Sequence, residues 1–256
     1  MKIITLANQK GGVGKTTTAQ ILAIGLSNRG YKVLMLDCDA QCNLTYVFGI
    51  KSEQNTIYEL MKNEATLKDC VVSVSNGLDI IPGNLLLNGA DTIFNKPATA
   101  PFILKKALNN VSEYDFCVID TSPNLGIMTI NALVATDFLI IPMTPDCFTL
   151  QGLSHLNENI EDVKCINTSL KVSGILLTRC DRTTVTGMLK EDILSAATIM
   201  KTKVFNSIIS QCVKIRECQL LQSDIFKESP KGKTTSEYNS FIDEFLESEV
   251  LCNDIE

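Results

Sequence analysis

Residues 10–17 read Lys10-Gly11-Gly12-Val13-Gly14-Lys15-Thr16-Thr17, directly after the apolar run 2–7 and before a segment with helical periodicity. A glycine-rich turn between a strand and a helix is typical of a phosphate-binding loop, because successive backbone N–H groups and the helix N-terminus point at phosphate oxygens. In such a loop Lys15 is expected to reach the β- and γ-phosphates, the Thr16 hydroxyl to bind Mg²⁺, and Thr17 to lie near the α-phosphate. The stretch therefore predicts a nucleoside triphosphate site that includes the backbone of Gly11, Gly12, Val13 and Gly14.

One position departs from the usual pattern G-x-x-x-x-G-K-[ST]. Gln9 stands where the first glycine is expected, and a second lysine, Lys10, follows it. The spacing does not say where Lys10 points, so a solvated loop lysine is the simpler interpretation on the residues alone. A glycine turn with a purely structural role is the alternative for the whole loop, but the motif in this context is too specific to favour it.

The rest of the chain alternates between apolar runs of strand length and segments with helical periodicity. The predicted strands are 2–7, 33–37, 78–81, 116–120, 138–142, 172–178 and 204–209. The later predicted helices are 100–110, 126–136, 150–163, 186–200 and 235–250. This alternation predicts an α/β fold with a mostly parallel twisted sheet flanked by helices. We expect residues 1–256 to form a single domain, with short helices in 42–98 at the edge of the sheet.

Carboxylates follow two of the predicted strands. Asp37 and Asp39 end the run 33–37, and Asp120 ends the run 116–119. The carboxyl ends of parallel strands share one edge of the sheet with the phosphate loop, where ligands bind in such folds. An aspartate there can hold Mg²⁺ through water or orient a water toward the γ-phosphate, although it can also be a helix cap or turn residue. The nearby loop favours the nucleotide role.

Together these residues resemble the ParA/MinD group of deviant Walker-A ATPases, which are P-loop NTPases, and within it the ParA partitioning ATPases. The matching segments read ANQKGGVGKTTT at 7–18, LDCDAQCN at 36–43 and YDFCVIDTSP at 114–123. Shorter matches at 131–133, 141–142 and 151–153 extend the likeness over most of the chain.

The resemblance implies a role for each matching residue. Lys10 corresponds to the family's signature lysine, which crosses a dimer interface to touch the partner's nucleotide, and this reverses the simpler interpretation given above. Asp39 corresponds to the aspartate that positions the attacking water, and Asp120 to the Walker-B carboxylate. ATP with Mg²⁺ would lie between the two subunits of a homodimer. Hydrolysis would be slow until a ParB-like adaptor protein stimulates it.

The second half of the chain departs further from the family. Thr178-Arg179-Cys180-Asp181-Arg182-Thr183 is similar to the family's Thr-Met-Tyr-Asp-x-Arg-Thr but is one residue short. The resemblance places Ile209, Ser210 and Gln211 in the adenine pocket, although Ser210 replaces a proline and Gln211 an arginine. It also makes Arg182, Lys214 and Arg216 candidate contacts to DNA.

The charge distribution bears on DNA binding. The chain has 23 Lys+Arg and 29 Asp+Glu, a net charge of −6, which makes a uniformly basic DNA-coating protein an unlikely class. Residues 164–233 nevertheless contain 12 Lys+Arg and six Asp+Glu, whereas 234–256 contain seven acids and no Lys or Arg. A basic surface of this kind would bind DNA without sequence preference and in a salt-dependent manner. A solvated surface of mixed charge is the alternative.

Three other classes share the loop. A MinD-like membrane-positioning ATPase would pair an apolar helix face with Lys or Arg, but the face formed by Tyr238, Phe241, Ile242 and Phe245 has neither, so we expect it to pack on the core. An iron-sulfur reductase would need cluster ligands, and Cys117 and Cys147 lack that context. Small-molecule ligases such as dethiobiotin synthetase relatives lack support in the second half. With no signal-like or membrane-spanning run, we expect a cytoplasmic protein, associated with the bacterial nucleoid when ATP-bound.

Overall fold

The computed structural model describes residues 1–51, 54–94, 98–145, 149–180 and 187–250, with the side chains of 149–154 and 187–192 left out of that description. Arg182 and Cys147, both singled out by the sequence, therefore lie outside the described residues. Within the described parts, no helix is both long and apolar enough to cross a membrane.

One eight-stranded sheet forms the centre of the molecule. Its strands are β1 (Lys2–Leu6), β2 (Val33–Cys38), β3 (Val72–Ser75), β4 (Leu78–Ile81), β5 (Phe116–Thr121), β6 (Phe138–Met143), β7 (Lys171–Cys180) and β8 (Val204–Ser210). They lie in the order β3-β4-β2-β5-β1-β6-β7-β8, and all neighbours are parallel except β3 and β4. The predicted mostly parallel α/β fold is confirmed, as are the seven predicted strands.

The sequence analysis missed strand β3. Its four residues, VSVS, alternate between half-buried and exposed because Val72 and Val74 pack against the core and the two serines on the other face do not. It is an edge strand, paired with β4 alone in the described sheet. A tight turn through Gly77, whose φ is 76°, joins it to β4 in an antiparallel pair. A run this short and polar has no strong hydrophobic pattern, and its pairing with β4 fixes its extended conformation.

Helices cover both faces of the sheet. They are α1 (Lys15–Asn28), α2 (Asn43–Val47), α3 (Ile57–Lys62), α4 (Leu67–Cys70), α5 (Ala90–Ile93), α6 (Ile103–Leu108), α7 (Ile127–Ala135), α8 (Thr149–Lys164), α9 (Gly187–Ile199), α10 (Val213–Leu220), α11 (Ile225–Glu228) and α12 (Lys233–Glu249). Short 3-10 turns lie at Leu85–Gly89 and Ala100–Phe102. The predicted short helices of 42–98 are present as α2 to α5.

The central strands are apolar on both faces because both faces are covered. In β2, Val33 and Met35 pack in the core beneath α1, whereas Leu34 and Leu36 pack in the core on the opposite face. Burial on both sides explains why such strands read as continuous apolar runs. The ends of these strands are thereby held rigidly, which fixes the position of the loops that follow them.

Helix α12 packs on the core, as its sequence predicted. Tyr238, Phe241, Ile242 and Phe245 are all at most 1% exposed. Phe241 meets Phe205 of β8 edge-on, with ring centroids 5.0 Å apart. The apolar face of α12 is therefore covered by the protein itself and is not open to a lipid surface.

We expect Gly174→Ala to lower the free energy of unfolding by about 1–3 kcal/mol, because the new methyl group would overpack a close-packed core. A Cβ at Gly174 would lie 2.7 Å from Cε2 of Phe205, which is itself held against Phe241. Chemical denaturation measures the effect. Ser173→Ala on the same strand is the control, since it removes a buried hydroxyl that has no hydrogen-bond partner among the described residues and should not destabilise the protein. Equal midpoints for Gly174→Ala and the wild type would contradict this account.

Candidate functional site

The predicted phosphate loop connects β1 to the first turn of α1. Gly12 and Gly14 have φ angles of 76° and 85°, in the left-handed region where a side chain is strained. The N-terminus of α1 has no capping side chain and no acidic residue in its first turn. Its N–H groups and partial positive charge are therefore available to an anion.

Val13 is buried and anchors the loop. Its side chain is 1% exposed, and its carbonyl oxygen accepts a hydrogen bond of 2.7 Å from Oγ1 of Thr178 at the end of β7. The same hydroxyl lies 3.2 Å from the Met143 carbonyl oxygen. The loop is thus fastened to β7, a contact that spacing along the chain does not reveal.

Lys15 lies in the loop with most of its side chain buried. Only 6% of the residue is exposed, and Nζ donates a hydrogen bond of 3.2 Å to the carbonyl oxygen of Lys10. Burial lowers the pKa of Lys15, while the charges of Asp120 and Asp39 oppose that shift. These three charged groups, which are far apart in the sequence, therefore converge at one place.

Asp120 is completely buried beside the loop. Burial raises its pKa well above the usual range, and so does the charge of Asp37, whereas the Thr16 hydroxyl and Lys15 lower it. Among the described residues neither carboxylate oxygen has a hydrogen-bond partner of standard geometry. A buried carboxylate with unused oxygens, next to a threonine hydroxyl and near Asp39, has the hard oxygen ligands that fit Mg²⁺.

The two aspartates of β2 and its following turn have different environments. Asp37 is fully buried and accepts hydrogen bonds from the Thr45 backbone N–H (2.8 Å) and hydroxyl (2.7 Å), which tie β2 to α2. Burial raises its pKa to about 6 despite those bonds. Asp39 instead lines the cavity above the loop, and its carboxylate accepts a local hydrogen bond of 3.0 Å from the N–H of Gln41. Asp37 therefore has a structural role, and Asp39 faces the site.

A cavity of about 710 Å³ opens above the phosphate loop, large enough for a nucleotide. Its wall brings together nearly all the described residues that the sequence singled out for the nucleotide: Gly11, Gly12, Gly14, Lys15, Thr16, Thr17, Asp39, Ile209, Ser210 and Gln211. Asp120 lies beneath this wall, fully buried. The predicted base-pocket segment and the phosphate loop thus belong to one site.

Sequence reasoning did not predict some residues of this cavity. Gln219 of α10 donates a hydrogen bond of 3.0 Å from Nε2 to the Thr17 hydroxyl, and Tyr46 and Leu220 add apolar surface. Arg179 lines the wall, with Nη1 2.7 Å from the carbonyl oxygen of Gly12. A cation directly after an apolar strand is a signal that could have identified Arg179, whereas α10 has no comparable motif.

The candidate DNA contacts are not brought together in the same way. Lys214 forms ion pairs with Glu217 (3.4 Å) and Glu228 (3.9 Å). Arg216 lines the cavity above the phosphate loop. Arg182 lies outside the described residues.

The backbone of Lys10, the predicted dimer-interface lysine, is held by a hydrogen bond of 3.0 Å from its N–H to Oδ1 of Asn8.

Comparison with known proteins agrees with this geometry. The family whose sequence model matches residues 1–172 is described as an AAA domain. The chain is 35% identical over 243 residues to the chromosome partitioning protein ParA of Myxococcus xanthus, and the alignment covers 93% of this chain and 85% of that protein.

Solved structures show the same fold. One is a plasmid partition protein from Borrelia burgdorferi, with 29% identity, a TM-score of 0.74 and coverage of 96% of this chain and 98% of that one. Another is cobyrinic acid a,c-diamide synthase from Mycobacterium smegmatis with bound ATP analogue and magnesium, with 27% identity, a TM-score of 0.82 and coverage of 95% and 93%. The predicted P-loop NTPase fold is confirmed.

Proposed function

The chain belongs to the ParA family of partitioning ATPases, and on that premise we propose that it is an ATP-driven dimerisation switch that binds DNA to partition a plasmid or chromosome. The observation that carries the nucleotide part is the convergence of the phosphate loop, Lys15 and Asp39 on one cavity, with the buried carboxylate of Asp120 close enough to act on Lys15. ATP is the substrate and Mg²⁺ the metal. The relative with bound ATP analogue and magnesium supports both assignments.

The residues of the site suit hydrolysis of the γ-phosphate. The loop N–H groups, the N-terminus of α1 and Lys15 would hold the phosphate chain, and Thr16, Asp120 and Asp39 would hold the metal. When bound, Mg²⁺ offsets the negative charge that develops on the phosphate oxygens. Asp39 orients a water for attack on the γ-phosphorus, so that the bond to ADP breaks and phosphate leaves.

The dimer is the second part of the proposal. Lys10 would reach the nucleotide of the partner subunit, so that ATP joins two copies and hydrolysis releases them. Support comes from the match of the loop to the family and from the position of Lys10 beside Lys15, whose Nζ donates a hydrogen bond to the Lys10 carbonyl oxygen.

Lys10→Ala should therefore leave ATP binding by the monomer within about threefold of the wild type and prevent the ATP-dependent dimer, because the lost cation serves the partner's nucleotide rather than its own. Sedimentation with a non-hydrolysable ATP analogue measures the dimer, and equilibrium titration measures the affinity. Lys68→Ala, which removes an exposed lysine of α4, is the control and should still dimerise. A Lys10→Ala protein that dimerises normally would count against this role.

DNA binding is the third part. Exposed cations of the segment 164–233 include Lys201, Arg216, Lys227 and Lys231. They would neutralise phosphates without reading bases, and pairing two copies would double the number of such contacts. A ParB-like adaptor bound to the cargo would then stimulate hydrolysis. We place the protein in the cytoplasm, on the nucleoid while ATP is bound.

We expect binding to random-sequence duplex DNA with ATP, and little binding with ADP or without nucleotide. The affinity should fall steeply as salt is raised, because each phosphate contact releases a counterion. Titration of labelled duplex under the three nucleotide conditions, each at two salt concentrations, measures both effects. If ATP makes no difference, the DNA part of the proposal is wrong.

The membrane-positioning alternative has less support. A MinD-like protein needs an amphipathic helix free to enter a lipid surface, whereas the apolar face of α12 is buried against β8 and α1. The iron-sulfur alternative rests on Cys117 and Cys147. Cys117 is fully buried inside β5, where it cannot reach a partner subunit's cluster.

A further inference from the structure

Arg179 is held in an unusual conformation at the edge of the phosphate loop. It is the penultimate residue of β7, yet its φ is 54°, in the left-handed region that is strained for a residue with a side chain. Strain of this kind persists only where the surroundings hold it in place, and it is concentrated at functional sites. The turn directs the guanidinium of Arg179 toward Gly12.

Only one nitrogen of the Arg179 guanidinium donates a hydrogen bond within the described part of the protein. Nη1 donates a hydrogen bond of 2.7 Å to the carbonyl oxygen of Gly12, and the side chain is otherwise exposed. Within the described part of the chain, Nε and Nη2 have no hydrogen-bond partner, and no carboxylate forms an ion pair with the group. A planar cation with unused donors is well suited to phosphate oxygens.

The position of Arg179 places those donors at the nucleotide. It lines the same cavity as Lys15 and Thr17. A triphosphate carries more negative charge than one lysine and a magnesium ion can offset, and Asp39 and Asp120 bring further negative charge to the site.

We propose that Arg179 binds the phosphate chain of the nucleotide held in its own subunit, as an additional cation beside Lys15. This inference rests on the proposed function of the cavity. The rival explanation is that Arg179 only braces the loop through Gly12. The two differ in one respect: a charge acting on phosphate is screened by salt, whereas the effect of a brace is not.

The test compares Arg179→Met, which keeps the length of the side chain but loses the charge, with Arg179→Lys, which keeps the charge. We expect Arg179→Met to bind a non-hydrolysable ATP analogue about tenfold more weakly than the wild type at low salt. The difference should shrink as salt rises, and Arg179→Lys should recover most of the affinity. Lys68→Met removes one exposed charge elsewhere and should bind as the wild type does.

Two results would overturn the inference while leaving the proposed function intact. In the first, Arg179→Met binds the analogue within about twofold of the wild type, since a lost charge-assisted contact should cost more. In the second, its affinity is reduced equally at all salt concentrations, which is the behaviour of a brace. Thermal unfolding without nucleotide checks that every variant is folded. A wild-type protein that fails to bind the analogue would overturn the proposed function and this inference together.

Discussion

Lys15→Ala is expected to lower the affinity for ATP by about 100-fold or more, so that binding is lost at ordinary nucleotide concentrations. Lys15 is nearly buried in the loop and lies between the charges of Asp120 and Asp39. Without it, those two carboxylates would face the phosphate chain with no lysine between them. Equilibrium titration with a fluorescent ATP analogue measures the loss.

The control for Lys15→Ala must show whether the loss of ATP binding comes from the position of the lost charge or only from the change in net charge. Lys68→Ala removes one positive charge from the exposed surface of α4 and should bind ATP like the wild type. Thermal unfolding of the variant without nucleotide establishes that it is folded. If both variants bind ATP equally well, Lys15 does not contact the phosphates.

Asp39→Ala has the second-largest expected effect, on hydrolysis rather than on binding. We expect the hydrolysis rate to fall about 100-fold or more, the range typical of a lost group that orients or deprotonates the attacking water. ATP binding should persist, because the change removes a negative charge near the phosphates. The ATP-bound dimer should therefore accumulate, and single-turnover hydrolysis with sedimentation in ATP measures the two effects.

Asp37→Ala is the matched control for Asp39→Ala. Asp37 lies two residues away but is buried, and it holds the N–H and hydroxyl of Thr45. Its removal leaves buried polar groups unpaired and should lower the free energy of unfolding by about 1–3 kcal/mol. Normal ATP hydrolysis by Asp39→Ala would show that Asp39 does not position the water.

Local patterns predicted much of this molecule because they are consequences of burial. The seven predicted strands are covered on both faces or lie beside strands that are, and the apolar face of α12 has the spacing of a packed helix. The edge strand β3 was missed because it is only four residues long and no residue in it is fully buried. A hydrophobic pattern in the sequence therefore predicts an element only where that element is buried against its neighbours.

The phosphate loop was predictable because its residues are consecutive, and Asp39 and Asp120 because each follows or ends an apolar strand. The loop from Lys10 to Thr17 has a spacing that only a phosphate-binding turn requires, and it alone indicates the ligand class. Lys214 shows the limit of such reasoning. Its charge counted toward a basic surface, but the fold pairs it with Glu217 and Glu228.

The sequence alone predicted the P-loop fold, the nucleotide class and the candidate phosphate loop, since backbone geometry and helix polarity act between neighbouring residues. The tertiary structure shows that Asp39, the aspartate that the family resemblance selected, lines the cavity, whereas Asp37 is buried and holds Thr45. Only the tertiary structure brings Gln219 and Arg179 to the loop. These contacts join residues more than 160 positions apart. They depend on the order of strands in the sheet, and the periodicity of a chain does not record that order.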